Sequence, residues 1–237
     1  MALSKKKKEE ISEEKGWQQV DSAVIKSEKF LEKYQTQLLY VAGAIVIIVL
    51  AYLGYKNFYL QPRNEEAQVA LFKGEQYFEA GKDSLAIFGD GNGYLGFEVI
   101  ADTYGSTKAG DLAKAYAGIC YARMGNNEKA IDKLSDYKGG DKLFTYQAKV
   151  TLADCYVNIG KLDEAVKLYA DAGKKADNPI YSPIYYKKAA MVYREQKNYD
   201  KTIELFTLIK NNYMNSSEAS DADKYIEEAN ILKGGSK

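Results

Sequence analysis

The sequence predicts an all-α protein: one membrane-crossing helix followed by a stack of helical hairpins. Three observations carry this. Tyr34 to Tyr55 is a run of 22 residues without a charge. Beyond it, one five-position pattern of small and large residues recurs at intervals of 35 and 37 residues. Only three prolines occur in 237 residues, so little interrupts long helices. The chain has 33 basic and 33 acidic residues and no net charge, which disfavours a nucleic-acid partner. It contains no histidine, which removes His-dependent triads and most zinc or iron sites. Two cysteines are too few for a disulfide scaffold or a four-thiolate centre.

The elements follow in chain order. Residues 1–16, with Lys5–Lys8 followed at once by acids, read as a disordered tail in contact with anionic lipid at most. Residues 17–37 read as an amphipathic helix. Trp17, Val20, Val24, Leu31 and Tyr34 share a stripe that suits either the lipid surface or a docking partner. Residues 38–58 read as the span. At about 1.5 Å per residue the uncharged run covers roughly 33 Å, against a bilayer core of about 30 Å. Tyr40 at one end and Tyr52, Tyr55, Phe58 and Tyr59 at the other supply interfacial aromatics. Ala42, Gly43 and Ala44 would let a partner helix approach closely. Residues 1–33 carry eight lysines, whereas Lys56, Arg63 and Lys73 are the basic residues just after the span. Positive residues stay inside, so the amino terminus is expected in the cytoplasm and the bulk of the chain outside, in the bacterial case in the periplasm.

Residues 64–232 read as the outer domain and 233–237 as a frayed end. The repeat is clearest as Gly118, Tyr121, Gly125, Ala130 and Leu134, and again as Ala153, Tyr156, Gly160, Ala165 and Tyr169. A third copy, Ala190, Tyr193, Lys197, Thr202 and Phe206, departs at its third and fourth places. An upstream copy, Gly74, Tyr77, Gly81 and Ala86, breaks at Gly89–Gly93 and is expected to resume over 96–103. The small residue admits a close helix crossing, the Tyr fills the space beside it, and the Gly ends the first helix with positive φ. Cys120 and Cys155 hold equivalent places on successive first helices, too far apart for a disulfide, so two buried thiols are expected. Asp221 to Leu232 reads as a terminal capping helix, with Ser216, Ser217 or Ser220 as its N-cap. Asp90-Gly-Asn92-Gly lacks the remaining oxygen ligands of a calcium loop and the Lys-Ser/Thr of a phosphate loop. No catalytic residue, metal ligand, cofactor or small-molecule substrate is expected.

The recurring pattern resembles the tetratricopeptide repeat (TPR), a helix–turn–helix unit of about 34 residues. The resemblance covers Glu65 to Met214 and implies about four hairpins with a groove lined by first helices. On that resemblance the groove residues are Gln68, Leu71, Glu75 and Phe78, then Leu112, Ile119 and Arg123. The third hairpin adds Gln147, Val150, Asp154, Val157 and Asn158, and the fourth Ile184, Lys187, Met191 and Arg194. The Lys and Asn set with which co-chaperone members clamp a terminal carboxylate is unmatched, since Leu71 and Glu75 stand at its first two places. A mixed apolar groove suits unfolded polypeptide or a helix. The whole architecture, with Lys26-Ser-Glu-Lys-Phe-Leu-Glu-Lys33 before the span, resembles the YfgM-type ancillary subunit of the bacterial Sec translocon. That resemblance implies a place in the inner membrane beside translocon subunits or a membrane-anchored periplasmic chaperone. The alternative is a scaffold for outer-membrane or cell-wall assembly.

Overall fold

The computed structural model describes residues 33–234. The expected tail, the pre-span stripe with Val20, Val24 and Leu31, and the last three residues lie outside them. The chain forms two units, residues 1–59 and 60–237.

In the first unit, helix α1 covers 33–54. It is long and apolar enough to cross a membrane, and the protein buries none of that stretch. Leu39, Ile47 and Ile48 are exposed, and no atom lies within 4 Å of where a Cβ on Gly43 would sit. α1 ends in a π-helical turn, Tyr55–Leu60. Pro62 lies at the start of the next helix. It has no N–H to offer Phe58, and its ring would press on that carbonyl, so a wider turn there relieves the clash.

The second unit is a run of antiparallel hairpins. The first pairs α2 (Gln61–Glu79) with two short helices, α3 (Asp83–Phe88) and α4 (Phe97–Tyr104). The second pairs α5 (Lys108–Arg123) with α6 (Asn127–Ser135), and the third α7 (Lys142–Asn158) with α8 (Leu162–Ala176). The fourth pairs α9 (Tyr181–Glu195) with α10 (Tyr199–Asn212). A four-residue turn of helix, α11 (Ser217–Ser220), leads to α12 (Ala222–Gly234), which packs on α10. Among the described residues there is no strand.

Each hairpin turns in the same way. Gly81, Gly125, Gly160 and Lys197 have φ of 67°, 79°, 76° and 59°. In all four the amide of that residue donates to the carbonyl three back, and the next amide to the carbonyl five back: Gly125 to Ala122 and Asn126 to Tyr121, for example. This pair of bonds satisfies the carbonyls that a helix end leaves open. Asn126 and Asn198 then cap the following helix through their side chains, whereas Lys161 stands in the same place with no side-chain bond.

The recurring small and large residues meet as their spacing requires. A Cβ on Gly118 would lie 2.6 Å from Leu134 Cγ, so only glycine admits that crossing. Tyr121 and Ala130 are fully buried beside it. In the first hairpin the glycine loop displaces the matching position on the second helix. A Cβ on Gly74 would collide instead with Tyr94 and Phe97, which lie beyond the loop and fill the gap. Asp90 holds that loop: its carboxylate accepts from Lys73, from the Tyr77 hydroxyl at 2.9 Å, and from the amides of Asn92 and Tyr94. These partners, Lys73 first, hold the Asp90 carboxyl well below the usual range. With every oxygen engaged, the carboxylate forms a hub for the loop.

One apolar core runs from α2 to α7 and a second from α7 to α12. Both cysteines are buried free thiols in the first, and burial pushes Cys155 up to about 11. Asn64 on α2 accepts from the Ala109 amide at 3.0 Å, and Arg63 donates to the Thr103 carbonyl, so α2 is tied to the α4–α5 corner. At the far end, the expectation of a serine cap on the terminal helix is corrected. Ser216 caps α11, and Asp221 separates that short helix from α12.

Candidate protein-binding groove

Each hairpin contacts mainly its neighbours: α2 meets α5, α5 meets α7, and α9 packs on α8 of the preceding hairpin. Residues three and four apart on each helix form its exposed stripe. On α9 that stripe is Ile184, Lys187, Lys188, Met191 and Arg194, half-buried, and the exposed Glu195, a consequence of burying Tyr185, Tyr186, Ala189 and Ala190 on the other side.

Two depressions form along these stripes. The larger, ≈ 630 Å³, lies on α9 and takes in Val157 of α7 and Tyr169 of α8. Its floor is apolar, from Val157, Ile184, Met191 and Val192, and its rim carries Lys187, Lys188, Arg194 and Glu195. The smaller, ≈ 240 Å³, is lined by Gln68, Leu71 and Glu75 of α2 and by Lys108, Ala109 and Leu112 of α5. Nine of the residues named from sequence therefore fall in one depression or the other: Gln68, Leu71, Glu75 and Leu112 in the smaller, Val157, Ile184, Lys187, Met191 and Arg194 in the larger.

The others line neither depression. Phe78 lies edge-on to Tyr116, with the Arg123 guanidinium 4.1 Å above its ring. Arg123 also reaches the Phe78 carbonyl and Asp83. Ile119 and Val150 are buried in the cores. Asn158 donates to Asn127 at 3.0 Å, and Gln147 is exposed. Asp154 lies beside the larger depression and accepts from both the Tyr169 hydroxyl and Lys188. Burial, then that bond to Asp154, pushes the Tyr169 hydroxyl up. At the other end burial, and then Glu75, pushes Tyr116 up to about 12.

Sequence reasoning missed Tyr169, Lys188 and Val192 in the larger depression and Lys108 and Ala109 in the smaller. Tyr169 is on a second helix and reads as core from its repeat position; its ring reaches the groove floor between α7 and α9. Lys188 was legible as the neighbour of Lys187 on a stripe that alternates steps of three and four.

The rim cations are paired. Lys188 meets Asp154 at 2.6 Å, Lys187 meets Asp221 at 3.6 Å, and Arg194 meets Glu228 at 3.5 Å. No group of three or more His, Cys, Asp and Glu residues suited to a metal occurs among the described residues. The arrangement offers shape, apolar surface and charge to a ligand.

No family model matches the chain, and no curated protein matches it. Solved structures do. A crystal structure of Podosopora anserina kinesin-light-chain TPR-like repeats, nearly identical to one another, aligns at 13% identity with a TM-score of 0.55. The alignment covers 73% of this chain and 89% of that one. A substituted form of the same protein gives 13%, 0.55, 73% and 88%. Likeness at this identity concerns the fold: the chain carries a TPR-type stack of helical hairpins.

Proposed function

We propose that this chain is a membrane-anchored protein-interaction subunit whose outer hairpins hold polypeptide beside a membrane partner. The observation that carries the reading is the ≈ 630 Å³ groove on α9, apolar on its floor and charged on its rim. Such a surface recognises a segment of protein, and the TPR-type fold is an interaction scaffold of non-enzymatic kind. In this reading the apolar run of α1, long enough to cross a membrane, supplies the anchor. The lysine excess before the span favours a cytoplasmic amino terminus and an outer, periplasmic stack. Within that frame the partner is the Sec translocon or a membrane-anchored periplasmic chaperone, the clients are emerging polypeptides, and the membrane is the bacterial inner membrane. Ala42, Gly43 and Ala44 on α1, and Val20, Val24 and Leu31 before it, are the residues through which the anchor would touch its partner.

Native co-purification tests this. The full-length chain and a form lacking 38–58 are extracted in mild detergent and their partners identified by mass spectrometry. Translocon subunits found with the full chain and lost without the span are the expected result. Outer-membrane or cell-wall assembly proteins retained by the span-less form would replace this reading by an envelope scaffold.

A further inference from the structure

Asp90-Gly91-Asn92-Gly93 sets two side chains of nearly the same shape in the same local sequence, each followed by glycine. At such a pair a small ring can close when the glycine amide nitrogen reaches the carbonyl carbon of the preceding side chain. Glycine permits that approach because it has no Cβ in the way and turns freely. The structure gives the two residues opposite exposure to this chemistry.

Asp90 is closed to it. Its side chain is 7% exposed, and its carboxylate accepts from Lys73, Tyr77 and the amides of Asn92 and Tyr94. An ionised carboxylate is a poor electrophile, and these donors keep it ionised. Asn92 is open to it. The residue is exposed, and among the described residues no hydrogen bond engages its side-chain amide or the Gly93 N–H. Gly93 has φ of 99°, and no atom lies within 4 Å of where its Cβ would sit. The loop is crowded only at its ends: a Cβ on Gly89 would meet the Tyr94 carbonyl, and one on Gly96 the Ile87 carbonyl. Asn92 is also the one asparagine of the sequence that precedes glycine.

We propose that Asn92 is a site of spontaneous covalent modification, losing its side-chain nitrogen through attack by the Gly93 amide, and that this releases Tyr94 from the loop. The Gly93 nitrogen gives up its proton and bonds to Asn92 Cγ. The Cγ–Nδ2 bond breaks, and the nitrogen takes up a proton and leaves as ammonia. Water then opens the ring. Its attack at Cγ gives aspartate; its attack at the main-chain carbonyl carbon gives isoaspartate, whose backbone runs through the side chain and is one atom longer. One water is consumed and one ammonia released, with no change of oxidation state.

Both products place a carboxylate two residues from Asp90, but only isoaspartate lengthens the path from residue 92 to Tyr94. The amides at these two ends share Asp90 Oδ1, at 2.8 and 3.1 Å, and the Asp90 amide donates to the Tyr94 carbonyl at 3.3 Å. The longer chain cannot keep this closure. Tyr94 is buried against Gly74, with its hydroxyl donating to the Ala86 carbonyl at 2.8 Å. A change at the exposed tip therefore reaches the core of the first hairpin. It runs one way, so it marks the age of each molecule.

The test ages the full-length chain in detergent micelles, at neutral and mildly alkaline pH, in heavy-oxygen water. Peptides are mapped by mass spectrometry after proteolysis. The peptide holding Asn92 is expected to exchange its amide for a carboxyl carrying the heavy label at least about tenfold faster than any other asparagine, with aspartate and isoaspartate forms separating on the column. Gly93→Ala should slow this about tenfold by crowding the attack. Asn92→Gln, which would have to close a larger ring, should stop it without touching the backbone. Circular dichroism checks that both variants keep their helix. Amide hydrogen exchange over 89–96 should be about tenfold faster in the isoaspartate fraction than in the fresh chain, and within about twofold of the fresh chain in Asn92→Asp, which adds the charge alone. Conversion of Asn92 no faster than that of the other asparagines, or loss of its amide without the heavy label, overturns the modification site. Unchanged exchange in the isoaspartate fraction overturns the release of Tyr94 and leaves the site standing.

Discussion

The first and fourth hairpins solve the same packing problem by opposite means. In the fourth, one continuous helix, α10, brings Phe206 fully buried to the place where a large residue must meet the small Ala190. In the first, the second helix breaks after Phe88, and the place is filled by Tyr94 and Phe97 from beyond a glycine-rich loop. The fourth departs from the rule at its turn instead, where Lys197 adopts the left-handed backbone that glycine takes in the other three. The comparison teaches that the hairpin is defined by what must meet in space. Helix continuity and the turn glycine are each replaceable when a neighbouring group supplies the contact.

The comparison breaks most severely at the two filling rings. Phe97→Ala and Phe206→Ala each delete a fully buried ring and should each cost about 3–5 kcal/mol in urea unfolding. If the two ends are equivalent solutions, the costs agree within about 1 kcal/mol. A much smaller loss for Phe97→Ala would mean that the broken helix leaves Tyr94 able to fill the space alone.

Asp90→Asn attacks the loop itself. The neutral amide cannot hold Lys73 and two backbone amides together, so amide hydrogen exchange should accelerate over 89–96 and stay unchanged over 199–212. The pH dependence has a definite sign. A carboxyl held below its ordinary value contributes stability that is complete above the unfolded value of 3.8 and is lost as acid carries the pH below it. The wild-type loop should therefore loosen only in strong acid, and the Asn variant should show no such transition.

Smaller effects sharpen the contrast at the turns. Lys197→Gly removes a left-handed residue with a Cβ and should stabilise by up to about 1 kcal/mol, whereas Gly125→Lys should destabilise by a similar amount. Lys161→Asn places a capping side chain where Asn126 and Asn198 already have one and should add about 0.5–1 kcal/mol. Chemical denaturation reads both. Cys120 and Cys155 should resist iodoacetamide at pH 8 until denaturant is added, since burial raises both thiols.

The hairpin stack was legible because its rule is local. Gly118, Tyr121, Gly125, Ala130 and Leu134 state a crossing, a filler and a turn within 17 residues, and each does that work in space. The break at Gly89–Gly93 and the resumption over 96–103, seen as α4, were legible too, but not that Tyr94 and Phe97 fill the space beside Gly74, since they lie outside the spacing that announces the repeat. Thr202 reads from spacing as a defect at an alanine place. It is buried with its hydroxyl donating to the Asn198 carbonyl at 3.0 Å, a local satisfaction that a spacing rule does not encode. For the groove, the stripe gave Ile184, Lys187, Met191 and Arg194. It did not distinguish Arg123, which is stacked on Phe78, from Arg194, which borders a depression. That difference depends on what the neighbouring hairpin places beside each guanidinium, and the stripe of one helix carries no record of it.

The bonds around Asp90 and the burial of the cysteines and tyrosines have a joint consequence for how the molecule meets its surroundings. The carboxyls that shift move down, as at Asp90 and Asp136, and the shifted thiols, phenols and lysines move up. With no histidine in the chain, none of these side chains changes charge between about pH 5 and 8. These shifted groups are electrically silent to ordinary acidification, so the loop that Asp90 holds and the cores that bury the thiols and phenols keep their charge state wherever acidity swings within that range.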